Sequence, residues 1–504
     1  MPSLLRQFGK NIVTSWAGLV VRMLVVFLVN PIVIHSLGNH LYGVWVLIFS
    51  IVNYMTILDL GLQQALIRYI SKFLGNGDYG KINSVLNTAF VVYSAAGIAV
   101  IIISAILSFF ALNWFNIPAE YIAQGRAVLM IIGLNVAINF IMLPWGGSLG
   151  AFHRFDIANG IAIAEDILRT LVIIFLLKSG YGIVPLALTF LIFTLLRVIT
   201  ATVFLKRLHA PLRFNPRLAD RSTFRMLIGY GVISFLISIA WMLIVNSSNV
   251  LIGYFIDTSA VTIYAIAVTL LVAVRNLISA VAMPLRPLVS HYETKNEKEI
   301  ISLIYMKGTR YLYFLTFLAA GGIIVFADHF IALWMGPGYE ASAGILRILV
   351  VPLAVYLPHA VGTAILYGIE KHTRILYVIL AEGILNLGGS ILLIQHYGLP
   401  GVAFGTAIAQ IIIYLFVMPR VIRPILNINL GAFYSSIAKA AFLGFAISFG
   451  LSYLAKIAVT PENWGYFFGE ILIVAFIGLL CGYFVVDRKD LEFLKAKLWN
   501  GLSS

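Results

Sequence analysis

The 504-residue chain is 61% hydrophobic and only 11% charged, with a mean hydropathy of +0.99, which excludes a soluble globular protein because so few charges cannot cover a surface of that size. Its 34 Lys and Arg against 20 Asp and Glu sit mostly in short connections on alternate sides of successive apolar runs, so the excess is a topology signal and not a nucleic-acid footprint. The lone Cys481, in an apolar run, rules out an intramolecular disulfide and a Cys-rich metal site.

Apolar runs of about 20 to 28 residues between polar or Gly/Pro punctuation predict fourteen transmembrane helices. The first half holds spans at about 12–36, 41–67, 83–112, 124–150, 156–178 and 183–206. Span 1 follows Arg6 and Lys10, is too long for a signal-peptide core and has no cleavage site at its end, so it is expected to be retained. A short turn, Leu37-Gly38-Asn39-His40-Leu41-Tyr42-Gly43, leads into span 2, which contains Asp59-Leu60-Gly61 and exits on Arg68 and Lys72. The second half holds spans at about 224–255, 259–288, 299–326, 342–368, 373–395, 399–422, 432–457 and 464–486.

Basic residues collect on one side: Arg68, Lys72 and Lys81, the run from Lys206 to Arg225, Arg286 to Arg310, Lys371 and Arg374, Arg420 and Arg423, and the tail from Arg488 to Lys497. The positive-inside rule makes that side, with both termini, cytoplasmic. The longest outer connection, about Asp328 to Glu340, leaves no room for an extracytoplasmic catalytic domain. The chain is therefore expected to be an all-α polytopic membrane protein of two lobes. Its predicted parts are an N-terminal lobe at 1–208, a basic cytoplasmic linker at 209–222, a C-terminal lobe at 223–424, and two further helices with a basic tail at 425–504.

Sliding the sequence on itself by about 217 residues reveals a repeat. Leu149 to Arg154 matches Leu366 to Lys371, Ala164-Glu165-Asp166 matches Ala381-Glu382-Gly383, and the Tyr181-Gly182 turn matches Tyr397-Gly398. Six helices separate the copies, so the repeat is parallel and predicts lobes related by an axis along the membrane normal.

Ionisable groups inside apolar spans are costly and normally face a cavity or a partner. Arg22 is in span 1, Asp59 in span 2, Glu165, Asp166 and Arg169 in span 5, Arg197 in span 6, Arg275 in span 8 and Glu382 in span 11. Glu165 and Asp166 can neutralise Arg169 locally through i,i+4 and i,i+3 spacing. Glu382 has Asn386 where that arginine would stand, so it must take a proton, reach another helix or face water. Arg22 and Arg275 have no carboxylate within a helical turn and offer bidentate donors suited to phosphate oxygens. The alternative for Arg22 is a structural pair with Asp59. His35, His40 and His153 lack metal-ligand spacing. Pro31, Pro144, Pro284, Pro287, Pro352 and Pro358 mark candidate bending points.

Taken together, the Leu37-Gly38-x-x-x-Tyr42-Gly43 turn, the Leu58-Asp59-Leu60-Gly61-Leu62 run and the Gly75-Asn76-Gly77-Asp78 stretch resemble, in order and spacing, bacterial polysaccharide flippases of the Wzx type. These belong to the multidrug/oligosaccharidyl-lipid/polysaccharide exporter superfamily, and the resemblance covers essentially the whole chain. It implies a multi-pass protein of the bacterial inner membrane that moves undecaprenyl-pyrophosphate-linked oligosaccharide, an O-antigen or other surface repeat unit, from the cytoplasmic to the periplasmic leaflet by alternating access. Arg22 and Arg275 match helices on which relatives carry cavity-lining basic residues, so these two, with Arg197, are expected to hold the pyrophosphate. Asp59, Glu382 and Glu165 are the expected coupling or gating residues, with a proton or Na+ as the coupling ion and no resident cofactor or metal. Partners implied are the lipid-linked oligosaccharide, the bilayer and polysaccharide polymerase and chain-length machinery, with no nucleic acid. Cation-exporting relatives tend to carry an acid on the first helix where this chain has Arg22, which favours an anionic substrate. A multidrug extruder or lipid II flippase of the same fold are the competing transport readings. A membrane glycan polymerase or ligase is the enzymatic one, and it would need an outer catalytic loop.

Overall fold

A computed structural model describes residues 2–282, 285–458 and 463–482, with the side chains of the first 17 residues, of Leu19 and of a few others inside helices left undescribed. The basic tail and Pro284 lie outside the described residues, which are helical almost throughout and include no β-strand. In chain order the helices are α1 (Pro2–Met55), α2 (Leu62–Gly75), α3 (Tyr79–Phe110), α4 (Ala119–Gly146), α5 (Phe155–Lys178), α6 (Ile183–Leu208), α7 (Arg221–Val245), α8 (Ser247–Phe255) and α9 (Thr258–Ala282). They continue as α10 (Leu285–Thr294), α11 (Lys298–Met335), α12 (Glu340–Tyr356), α13 (Ala360–Gly368), α14 (His372–Tyr397), α15 (Leu399–Ile412), α16 (Met418–Leu426), α17 (Leu430–Ala458) and α18 (Trp464–Cys481).

Twelve described helical segments are long and apolar enough to cross a membrane. The first of them, Val20–Asp59, runs 40 residues and breaks at Gly38, whose φ of 75° and ψ of 166° are not helical, so it holds two passes. The 24-residue α5 is also of membrane length, although Asp156, Glu165, Asp166 and Arg169 interrupt its apolar character. With these two adjustments the count agrees with the fourteen passes expected. The outer connection before α12 is shorter than predicted, because α11 continues to Met335 and leaves only residues 336–339 outside helix.

The chain divides into two compact units, Met1–Thr262 and Ile263–Ser504. In the first, the core runs from Leu41 through Ile70, Tyr93, Leu129 and Trp145 to Leu227. The linker of residues 209–222 belongs to this unit because α3 holds it. Asn83 Nδ2 donates to Pro211 O at 3.0 Å while Arg213 N donates to Asn83 Oδ1 at 2.7 Å, and Asn87 makes the equivalent pair with Arg213 O and Asn215 N at 2.8 and 2.9 Å. Asp220 N donates to Thr88 Oγ1 at 3.0 Å, and the Asp220 carboxylate caps α7 by accepting from the backbone N–H groups of Ser222 and Thr223. Buried Asn side chains thus satisfy a loop backbone that would otherwise lose its hydrogen bonds at the membrane interface.

Two breaks shape span 2. At its start, a Cβ on Gly43 would fall onto the Thr258 carbonyl, so glycine is needed for the chain to pass the first turn of α9; Thr262 Oγ1 donates to Asn39 O at 2.6 Å beside it. Further along, span 2 is not the continuous helix expected: α1 ends at Met55, and Leu60 and Gly61 adopt left-handed φ of 52° and 71° before α2 begins. Gly61 abuts Gly231 of α7 so closely that a Cβ on either would strike backbone.

In the second unit α11 packs along α17, and α14 along α15. Pro358 falls in a 3-10 turn, Leu357–His359, that divides span 10, and a π-helical segment, Ile413–Val417, interrupts span 12.

Candidate functional site

The polar interior of the first unit is built by α4, α5 and α6. On α5, Arg169 donates from Nη1 to Glu165 Oε1 at 3.0 Å and from Nη2 to Asp166 Oδ1 at 2.7 Å. From α6, Arg197 Nε lies 3.1 Å from Glu165 Oε2, out of line for a hydrogen bond, while its Nη2 donates to Asn139 Oδ1 at 2.5 Å. Asn139 Nδ2 donates to Asn135 O at 3.0 Å, and Asn135 Nδ2 donates to Phe190 O and Thr194 Oγ1, both at 2.9 Å. Two carboxylates and two guanidiniums therefore balance within one network, as burial in low dielectric demands. The residues sit on the face of α5 opposite Leu168, Leu171 and Phe175, which are exposed as a lipid-facing stripe would be.

Arg22 stands apart from this network. It is exposed, its guanidinium folds back beside Gly18 and near Ile163 of α5, and among the described residues it pairs with no carboxylate. Asp59 is engaged elsewhere: Tyr93 donates its hydroxyl to Asp59 Oδ1, and the backbone N–H groups of Gly61 and Gln63 point at the same carboxylate. Asp59 thus caps the broken end of span 2, where free N–H groups attract an anion.

In the second unit Glu382, with 1% of its surface exposed, accepts a hydrogen bond from Tyr414 Oη at 2.7 Å and another from Gln410. Arg275 of α9 lies within electrostatic reach of Glu382, Tyr414 and Tyr356. Arg275's own helix carries no carboxylate. Asn386 turns away to Thr406 at 3.2 Å. Tyr356 and Tyr414 pack with centroids 4.7 Å apart, and His359 joins them, with Nε2 3.1 Å from Tyr313 Oη.

The two networks occupy equivalent places in the repeat. Glu165, Arg169, Arg197 and Asn139 correspond, 217 residues on, to Glu382, Asn386, Tyr414 and Tyr356. Sequence alone aligned the carboxylates but overlooked Asn135, Asn139 and Tyr414. The first two were detectable as an i,i+4 amide pair in an otherwise apolar span. No group of three or more metal-ligating side chains occurs among the described residues.

The helical order and the repeat define a polytopic helical membrane fold of two related halves. The chain superposes on the lipid II flippase MurJ, in its inward closed conformation, with a TM-score of 0.72 over 95% of this chain and 99% of that one at 16% identity. It superposes on an inward-facing multidrug resistance transporter of the MATE family with a TM-score of 0.61 over 83% and 96% at 15% identity. Residues 37–344 match the model of a family described as polysaccharide biosynthesis protein, and the chain belongs to that family. The membrane protein EpsK of Bacillus subtilis is 22% identical over 485 residues, covering 94% of this chain and 95% of its own.

Proposed function

We propose that this protein is a flippase for undecaprenyl-pyrophosphate-linked oligosaccharide, carrying it from the cytoplasmic to the periplasmic leaflet of the bacterial inner membrane by alternating access, with both termini cytoplasmic. The observation that carries the reading is Arg22, an exposed guanidinium well inside a membrane pass with no carboxylate partner among the described residues. An uncompensated cation there costs about 2.5 kcal/mol or more, a cost offset when a pyrophosphate binds it in bidentate fashion. Membership of a polysaccharide biosynthesis family fits a glycan headgroup. Arg275 is the matching cation of the second unit, and Arg197 supports the glycan end of the substrate. Polysaccharide polymerase and chain-length machinery would then receive the product.

Leaflet distribution of undecaprenyl-linked glycan in cells lacking the protein tests this. Cytoplasmic accumulation is expected, reversed by wild type but not by Arg22→Ala or Arg275→Ala at equal membrane levels. A normal distribution in a strain with no second flippase overturns the reading. The similarity to MurJ favours one alternative, lipid II transport, which replacement of an essential peptidoglycan flippase would establish. Increased drug tolerance without a glycan defect would favour an extruder instead.

A further inference from the structure

Next to the charge network of the first unit stands an aromatic cluster that the flippase reading leaves unused. Trp45 and Phe49, one helical turn apart on the second pass of α1, meet Phe190 of α6 with centroids 5.5 Å away in each case, and 4.7 Å from each other. The Arg169 guanidinium lies over Phe190 at 4.6 Å, which joins the rings to the network. All three rings are only partly buried. Three polar groups at this junction have hydrogen-bonding capacity to spare among the described residues: Asp166 Oδ2 as an acceptor, and Arg197 Nη1 and the Trp45 indole N–H as donors.

Apolar ring faces beside planar acceptors and donors, already fixed in rotamer by their neighbours, are what a pyranose requires. Its C–H face packs on an aromatic ring and its hydroxyls both give and accept hydrogen bonds. The charges of the network balance, with Arg169 and Arg197 against Glu165 and Asp166, so it suits a neutral sugar better than a uronic acid. Depth agrees with this. Arg22 is sixteen residues before the Gly38 break, about 24 Å along a helix, whereas Phe190 is seven residues into α6 from the same face, about 10 Å, and Arg197 fourteen, about 21 Å, so the polar groups lie nearly level with Arg22 and the Phe190 ring lies nearer the outer face.

We infer that Trp45, Phe49 and Phe190, with Asp166, Asn139 and Arg197, form a subsite for a neutral pyranose of the lipid-linked glycan, its aromatic side nearer the outer face than the pyrophosphate at Arg22. The inference rests on the flippase reading and adds where the protein recognises sugar.

The test uses the full-length protein in nanodiscs and two probes, undecaprenyl pyrophosphate and the same carrier bearing a neutral hexose, with binding measured by native mass spectrometry. Wild type is expected to hold the hexose-bearing carrier about tenfold more tightly. Trp45→Leu, which removes the ring but keeps an apolar side chain against the core, and Asp166→Asn should each bring that ratio close to one while the bare carrier binds as before. Equal wild-type affinity for the two carriers, or a ratio unchanged in both variants, overturns the subsite and leaves the flippase reading standing. Failure of either carrier to bind wild type removes the flippase reading and the subsite with it.

Discussion

Glu382 shows what a single buried carboxylate demands. Sequence made its need plain, since Asn386 occupies the place of a local cation, but the donors that answer it, Tyr414 and Gln410, come from the following span and only folding brings them near. Removing the Tyr414 hydroxyl in Tyr414→Phe should leave an oxygen of a nearly inaccessible carboxylate short of a donor and cost about 1 to 3 kcal/mol, visible as a lower thermal midpoint in detergent. Glu382→Gln keeps an acceptor for Tyr414 and should preserve that midpoint, while abolishing the response of flipping to an imposed proton or Na+ gradient; a response equal to wild type would show that coupling lies elsewhere. At the membrane edge, His209 sits 3.1 Å from Tyr79 Oη and 4.4 Å from the Phe152 ring centre. Burial, and then the Arg154 charge, lower its pKa from 6.5, so the fold favours neutral imidazole. Its contribution to stability is full above about pH 6.5 and declines as the pH falls below that, because the unfolded chain takes up the proton first. Hydrogen exchange around residues 209–212 should accelerate between pH 7 and pH 5, and His209→Gln should flatten that profile.

Individual elements are where hydropathy was both most and least informative. Nearly every span was legible from its apolar length, including the helix that follows the Tyr397-Gly398 turn, because a bilayer imposes one requirement on all of them. The internal breaks were not. Span 2 reads as continuous because nothing local forbids helix at Leu60, and its left-handed break is set by contact with α7 at Gly231. Gly61→Ala should therefore cost about 2 to 4 kcal/mol through backbone strain and overpacking, seen as reduced accumulation and a lower thermal midpoint. Gly75→Ala, where a Cβ meets open space, should change little. The linker illustrates the same limit. Its basic composition announced a cytoplasmic linker, but nothing in the sequence marks Asn83 and Asn87, which hold its backbone. Replacing Asn87 with Ala should speed tryptic cleavage after Arg213 and Arg217 severalfold while leaving transmembrane topology intact.

For the molecule as a whole, the parallel repeat was the most productive sequence observation. The offset that aligned Glu165 with Glu382 also aligns Arg197 with Tyr414 and Asn139 with Tyr356, residues whose pairing becomes evident only when the side chains are placed. The unit boundary was less legible. It falls inside α9, between Thr262 and Ile263, because the linker, α7 and α8 pack with the first six passes, and composition carries no trace of those contacts. The candidate cations were found because a charge in an apolar run stands out. The amides and rings beside them were not, since neither hydropathy nor charge marks them.

That repeat has a consequence for how such a protein can change over generations. A duplicated half begins with two copies of every partner of its buried acid, and one copy can drift while the other keeps the fold intact. Here the first copy sets two arginines against its glutamate, and the second has tyrosine and amide groups at the corresponding positions. The two halves therefore hold the same buried acid by different means. Side chains around the first can then change without disturbing those that hold the second.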